Sequence, residues 1–204
     1  MKKKINLTTA LLLIGFVPLI ISGLIVVIVS SINISSNLEK ITYQKLFVAA
    51  DGLRQYYEWD IINSGEPAYE HDYVDSLKGE DIELTLFMGD TRFITSALNA
   101  QGQRNENTQM DSKIWADVSK GNTYYSDGVN IGGNKYYVCY IPLRDGNKQV
   151  IGSAWAGSPE SDVKGLIHRI ILISVIVMVA ALIIFAIIIF IVAKSIITSL
   201  KAAT

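Results

Sequence analysis

The sequence predicts an α+β fold, a long helix followed by an antiparallel sheet of about five strands, carried between two membrane-spanning helices. Three observations lead there. Charge is absent from Ile5–Leu38 and from Ile170–Ala193, while all 19 acidic residues lie between Glu39 and Asp162. Between Ser35 and Asn63 apolar residues recur at three- and four-residue steps, the period of a helix with one buried face. Beyond Asp81 the period shortens to that of strands, punctuated by Gly-Asp and Asp-Gly turns.

Residues 1–6 carry Lys2, Lys3 and Lys4 and read as a cytoplasmic N-terminus. The first span is placed at residues 7–32. Its apolar run exceeds the roughly 7–15 residues of a secretion-signal core, and no small-x-small cleavage site follows it, so it reads as an uncleaved anchor. Gly15 and Pro18 sit inside the run, which membrane helices tolerate. The second span is placed at residues 170–192. The 24 uncharged residues here would extend roughly 36 Å as a helix, enough for a hydrocarbon core of about 30 Å. Lys194 and Lys201 follow it, so both termini face the cytoplasm and residues 35–168 form an extracytoplasmic domain. That domain and its flanks hold 13 basic and 19 acidic residues, a net charge of −6, which excludes nucleic acid as a partner.

Within it, Leu38, Ile41, Leu46, Ala49, Leu53 and Tyr56 form the expected stripe of the long helix, with Phe47 and Tyr57 beside it. Ser64-Gly65-Glu66-Pro67 ends the helix. A short polar helix over 69–77 comes next and stops at Gly79. Strands follow at Ile82–Phe87 and Thr91–Leu98, joined through Met88-Gly89-Asp90. Asp111 can cap a helix whose Ile114, Trp115 and Val118 form an apolar face, closed by Gly121. Three further strands are expected at Tyr124–Val129, Lys135–Ile141 and Val150–Ala156, the last pair joined through Asp145-Gly146. Cys139 is the single cysteine, so no internal disulfide can brace the domain.

The run from Asp81 through Gly89-Asp-Thr-Arg92 to Thr95 resembles the first two strands of single Cache sensor domains, above all those of bacterial methyl-accepting chemotaxis proteins. Gly133–Asp145, Val150-Ile-Gly152 and Ala156-Gly157 resemble the closing hairpin of the same family. The resemblance implies a PAS-like Cache domain that binds a small ligand on one face of its sheet. It also implies a homodimer in the lipid bilayer of the bacterial plasma membrane, passing a small helix displacement to the second span. Residues 193–204 begin like a HAMP linker, with Ile196-Ile-Thr-Ser199-Leu200, but Ser199 stands where proline is usual. The expectation is of a receptor segment cut at that point, or of a sensor whose output lies elsewhere. A downstream chemotaxis kinase is a partner only if a cytoplasmic output domain exists. Tethered interaction without a small ligand, or service to a histidine kinase or cyclase, are the alternatives.

Laid on citrate- and dicarboxylate-sensing relatives, the ligand-reading positions fall near Arg104, Asn107, Val138 and Tyr140. Only the arginine of that basic set is kept, so a ligand with one anionic group is expected, such as an amino acid, a monocarboxylate or a nucleobase-like ring. Strand alternation adds Tyr136 to the face of Val138 and Tyr140, and places Arg92, Ile94 and Ser96 together. The tyrosines fit a pocket wall or ordinary core under the long helix. The acidic residues Glu66, Glu70, Asp72, Asp75, Glu80, Asp81 and Glu83 read as a solvated helix and loop. His71 and His168 stand isolated, and no zinc spacing, phosphate loop or catalytic triad is present in the sequence. Neither catalysis nor a cofactor is expected.

Overall fold

A computed structural model describes residues 7–202; the expected cytoplasmic segment 1–6 and the last two residues of segment 193–204 lie outside the described residues. The elements are α1 (Leu7–Ser64), α2 (Asp72–Asp75), a 3-10 turn (Lys78–Glu80), β1 (Glu83–Met88), β2 (Thr91–Thr95), α3 (Ser112–Val118), β3 (Tyr124–Ile131), β4 (Asn134–Arg144), β5 (Val150–Pro159) and α4 (Glu160–Ala202). The chain divides into two compact units, Asn37–Gly165 and the pair Met1–Ser36 with Leu166–Thr204.

In the Asn37–Gly165 unit the five strands form one sheet in the order β2-β1-β5-β4-β3, antiparallel throughout. The last strand in sequence is therefore the central one. Pro142 is tolerated inside β4 because β3 begins at Tyr124, opposite Tyr140, so the missing N–H has no partner to lose on that side. Gly152 is required where β5 passes β1. A Cβ there would lie 1.9 Å from the Phe87 carbonyl oxygen.

One face of the sheet packs on α1. Leu46, Ala50, Leu53 and Tyr57 are fully buried, at steps of four, three and four residues. The buried stripe is turned slightly from the expected one: Tyr57 and Ile61 face inward while Ile41 and Tyr56 are exposed. Opposite it, the register aligns Leu84 with Ala156 and Cys139, and Leu86 with Ala154, Ile141 and Ile94. Tyr43 fixes the helix sideways by edge contacts with Tyr125 and Tyr137, at 5.8 and 5.7 Å. The Arg144 N–H donates to Glu58 Oε1 at 2.9 Å. Each fully buried leucine here contributes about 1.5–3 kcal/mol. Burial pushes the Cys139 thiol up to about 12.

The helix expected over 69–77 shrinks to the four residues of α2. Its N-cap, His71, offers no side-chain hydrogen bond to the first turn. The side chains of this segment serve other contacts instead: Tyr73 stacks on Tyr56 at 4.7 Å, and Val74 is buried.

The second unit consists of two helical segments with predominantly exposed apolar side chains, such as Ile14 at 73% and Val177 at 62%. Both helices are long and apolar enough to cross a membrane. Small residues let them approach: a Cβ on Gly15 would meet Ile189 at 3.1 Å, and one on Gly23 would meet Met178 at 3.1 Å.

Candidate functional site

The second face of the sheet is built differently. Residues paired or alternating with Trp155 share its side: Glu83, Thr85 and Phe87 on β1, Ser153 on β5, Tyr136, Val138 and Tyr140 on β4, and Tyr124 on β3. Four of them are aromatic, five with Trp155 itself. Trp155 lies 6.0 Å from Tyr136 and 6.4 Å from Tyr140; Tyr140 lies 5.9 Å from Phe87 and 6.1 Å from Tyr124. The indole reclines along its own strand, over Gly157, where any Cβ would come within 2.2 Å of the ring. Gly157 therefore sets the orientation of Trp155.

α3 closes this face over β3 and β4 with Ile114 and Val118. Its start is fixed by Asp111, whose carboxylate accepts the Lys113 N–H at 2.8 Å. The chain between β2 and α3 runs back along the edge strand: the Arg92 N–H donates to the Thr108 carbonyl at 2.9 Å, and the Asn107 N–H to the Arg92 carbonyl at 2.8 Å.

Into this aromatic surface come two charged side chains. β2 carries an irregularity: Ile94 pairs with Leu86 but Arg92 pairs with Phe87, leaving Phe93 as an extra residue. Strict alternation would have put Arg92, Ile94 and Ser96 on one side. The bulge instead turns Arg92 onto the Trp155 face, while Ile94 stays on the α1 face. Arg92 is 5% exposed; its Cζ lies 4.9 Å from the Phe87 ring centroid, and Nη1 donates to Thr108 Oγ1 at 2.5 Å. Burial lowers the affinity of Arg92 for its proton, opposed by Tyr140, Glu83 and Tyr136. Glu83, expected in a solvated acidic stretch, sits instead at the other end of the same face. Burial raises its carboxyl above the usual range, partly offset by a hydrogen bond from Tyr136. Tyr136 and Tyr140 are both held far above the ordinary phenol value by burial.

Among the described residues, four buried side-chain polar atoms lack any hydrogen-bond partner: Glu83 Oε2, Arg92 Nε, Ser153 Oγ and Trp155 Nε1. All four belong to the Trp155 face, on the three adjacent strands β2, β1 and β5. Leaving such an atom unpaired costs about 1–3 kcal/mol each, more for charged groups. The α1 face has none. Two N–H donors, one carboxylate acceptor and one hydroxyl therefore point to hydrogen-bonding capacity that the protein itself does not use.

The other expected site residues have occupations of their own. Ser96 Oγ accepts the Leu84 N–H at 2.8 Å and prolongs the β1–β2 pairing. Arg104 grips Asp75 with both terminal nitrogens, at 3.0 and 2.6 Å, and also donates to the Thr95 carbonyl. This holds the Asp75 carboxyl below its usual range. Asn107 takes a left-handed backbone conformation, φ 58°, that turns the chain beside Arg92. His71, which looked isolated, faces Glu106 Oε1 at 2.8 Å, and Tyr69 donates to the other oxygen of the same carboxylate. Of the seven expected residues, the structure brings Arg92, Tyr136, Val138 and Tyr140 together on one surface. Glu83, Phe87, Thr108, Ser153 and Trp155 join them without having been singled out. The alternation of Ser153 and Trp155 within Val150–Ala156 was the available signal.

Solved structures of similar architecture include the sensor domain of Escherichia coli DcuS, at 16% identity and TM-score 0.45, covering 66% of this chain and 98% of that one. The periplasmic sensory domain of the Campylobacter jejuni chemoreceptor Tlp1 follows at 12% identity and TM-score 0.44, covering 64% of this chain and 58% of that one. The ligand-binding domain of C. jejuni Tlp3 in complex with 4-methylisoleucine aligns at 13% identity and TM-score 0.37, covering 81% and 64%. No curated protein sequence matches. The model of the single Cache domain 3 family matches residues 66–170, just over half of the chain, and spans every strand of the sheet. With its long N-terminal helix and five-stranded antiparallel sheet in a PAS-like arrangement, the chain belongs to the single Cache domain family.

Proposed function

We propose that this chain is the sensor segment of a transmembrane chemoreceptor, which binds a small extracellular ligand and transmits a helix displacement for chemotaxis signalling. Cache sensor domains bind small ligands and lie outside the cell, and two apolar helices flank this one. The observation that carries the reading is the clustering of all four orphaned buried polar atoms on the aromatic face of the sheet. A ligand with one carboxylate finds there the Nε–H of Arg92. The protein binds this ligand and does not transform it.

Two features support transmission. Trp155 lies on the central strand, five positions before Glu160, where β5 passes directly into α4 with no intervening loop. A ligand that displaces Trp155 therefore acts on the strand that leads into the second span. Only the ligand's differential affinity for two states can bias them, typically about 1–3 kcal/mol. A homodimer in the plasma membrane completes the reading. On α1, Ile41, Val48 and Ile62 are 50%, 70% and 61% exposed at multiples of seven residues, a seam suited to a second copy of the helix.

The test is a thermal-shift screen of the full chain in lipid nanodiscs against carboxylate and amino-acid metabolites. Stabilisation by at least one compound, lost in Arg92→Gln, is expected. No stabilisation by any compound would instead favour a tethered interaction module.

A further inference from the structure

The two long apolar helices leave a groove between them that the sensor reading does not use. We infer that this groove is a lipid site, in which one acyl chain of an anionic phospholipid lies between α1 and α4 while Arg169 holds its phosphate. The inference rests on the two helices crossing a bilayer and is independent of what the sheet binds.

The groove has a volume of about 480 Å³ and is lined where Gly23 brings α1 against Met178 of α4. Ser22 and Ser174 also line it, but their hydroxyls donate to the Leu19 and Ile170 carbonyls of their own helices at 3.0 and 2.9 Å. Its depth therefore offers apolar surface. Along α1 the lining runs from Leu19 to Ser30. That stretch is roughly 16 Å of helix, about half of a 30 Å hydrocarbon core. The lining ends before Gly15, which lies against Ile189. A partner helix crossing the bilayer would follow the whole span, whereas a lipid tail occupies one leaflet. The groove has the reach of an acyl chain.

The mouth of the groove identifies the head group. Ile173, Val177 and Ala181 line one side at four-residue steps and are exposed; the next step toward the sensor domain is Arg169, exposed as well. On α1 the corresponding step beyond Ser30 is Asn33, also exposed. From the contact of Gly23 with Met178, Asn33 lies ten residues outward and Arg169 nine, so the two flank the mouth at one level. Among the described residues no hydrogen bond or ion pair engages the side chain of Arg169 or of Ser30. Long helical side chains lean toward the N-terminus, so Arg169 reaches from the groove toward water. Its planar fork matches two phosphate oxygens, and the Ser30 hydroxyl, one turn deeper, suits an ester carbonyl below them.

Charge selects the lipid class. Ile5–Leu38 and Ile170–Ala193 hold no charge, so Arg169 is the charge nearest the groove on either helix. A zwitterionic head group would bring a cation of its own beside it. A second copy of this helix pair, docked here in the same orientation, would bring a second Arg169 to the same depth. An anionic phospholipid meets the cation and the apolar depth together.

The experiment places the full chain in nanodiscs of equimolar phosphatidylcholine and phosphatidylglycerol and reads the lipids that stay bound by native mass spectrometry. Phosphatidylglycerol is expected to be retained over phosphatidylcholine by about fivefold. Arg169→Gln should bring the ratio close to one, and Arg169→Lys should keep most of the preference. Ala181→Phe, which fills the groove, should lose bound lipid of both kinds. Should Ala181→Phe fail to insert, the two Arg169 variants decide alone. Equal retention of both lipids by the wild type, or an undiminished preference in Arg169→Gln, would overturn the inference. So would a preference that survives in Ala181→Phe, which would mean attraction at the membrane surface only. Ready disulfide formation between two Val177→Cys chains would seat a second copy in the groove and overturn it as well.

Discussion

The two faces of the sheet are made from the same five strands but follow opposite rules. The α1 face is lined by Leu84, Leu86, Ile94, Cys139, Ile141 and Ala154, and no buried polar side chain on it lacks a partner among the described residues. The Trp155 face is aromatic, carries a buried arginine and a largely buried glutamate, and gathers the four buried side-chain polar atoms without a partner among the described residues. A mainly aliphatic layer supplies stability at low risk, because the polar groups buried in it, such as Tyr57 and Ser96, are already paired. The other layer forgoes part of that stability to keep hydrogen-bonding groups available. On the proposed sensor reading, the difference separates the layer that holds the domain together from the layer offered to a ligand.

The comparison breaks first where stability is concentrated. Leu84→Ala on the α1 face should destabilise the domain by about 2–5 kcal/mol, through lost burial and the cavity left behind. Alkylation of Cys139 provides the readout, since its buried thiol, at about 12, reacts only when that layer opens. Faster labelling at unchanged ligand affinity is the expected signature; unchanged labelling would show that the α1 layer does not carry the fold.

Arg92→Gln should do the opposite. Ligand affinity should fall tenfold or more, about 1.4 kcal/mol, while the unfolding midpoint stays level or rises. Removing a buried cation without an ion-pair partner relieves a desolvation cost. A large drop in stability would mark Arg92 as structural.

Glu83 gives a pH test with a definite sign. Its folded-state value is raised above the unfolded one, so the folded state holds the proton more tightly. The penalty on the charged form is present above the folded value and disappears as pH falls toward the ordinary carboxylate value of about 4.3. Without ligand, the wild type should therefore gain stability relative to Glu83→Gln on acidification through that window. Parallel pH profiles for the two proteins would argue against burial of this carboxyl.

The smallest effect belongs to Arg104→Ala. Its bidentate partner Asp75 is a third exposed, so the loss should stay below about 1 kcal/mol, and ligand affinity should not change. Thermal unfolding and calorimetry check both halves. A marked loss of affinity would return Arg104 to the binding surface.

Much of this was legible before folding was considered. The charge gaps marked both apolar helices, and the change of period at Asp81 marked the start of the sheet. Tyr136, Val138 and Tyr140 came out on one face because β4 keeps an unbroken two-residue alternation there. Arg92 was named for the right strand, but its neighbours were misassigned, since nothing in Thr91–Thr95 signals that Phe93 is bulged. Glu83 was hidden by its context, one acid at the end of a run of acids. Arg104 looked available because Asp75 lies 29 positions away in sequence, and local pattern carries no information about such a pair.

Sequence by itself determined the lengths and polarity of the apolar stretches, the order of the elements and the face that each regular strand residue takes. These follow from local periodicity and from the cost of placing charge in an apolar setting. Only the tertiary structure decided that β5 is central, that a bulge turns Arg92 inward, and that Glu83, Ser153 and Trp155 meet it on one surface. Strand order and register arise from contacts between residues far apart in the chain, which no local pattern encodes.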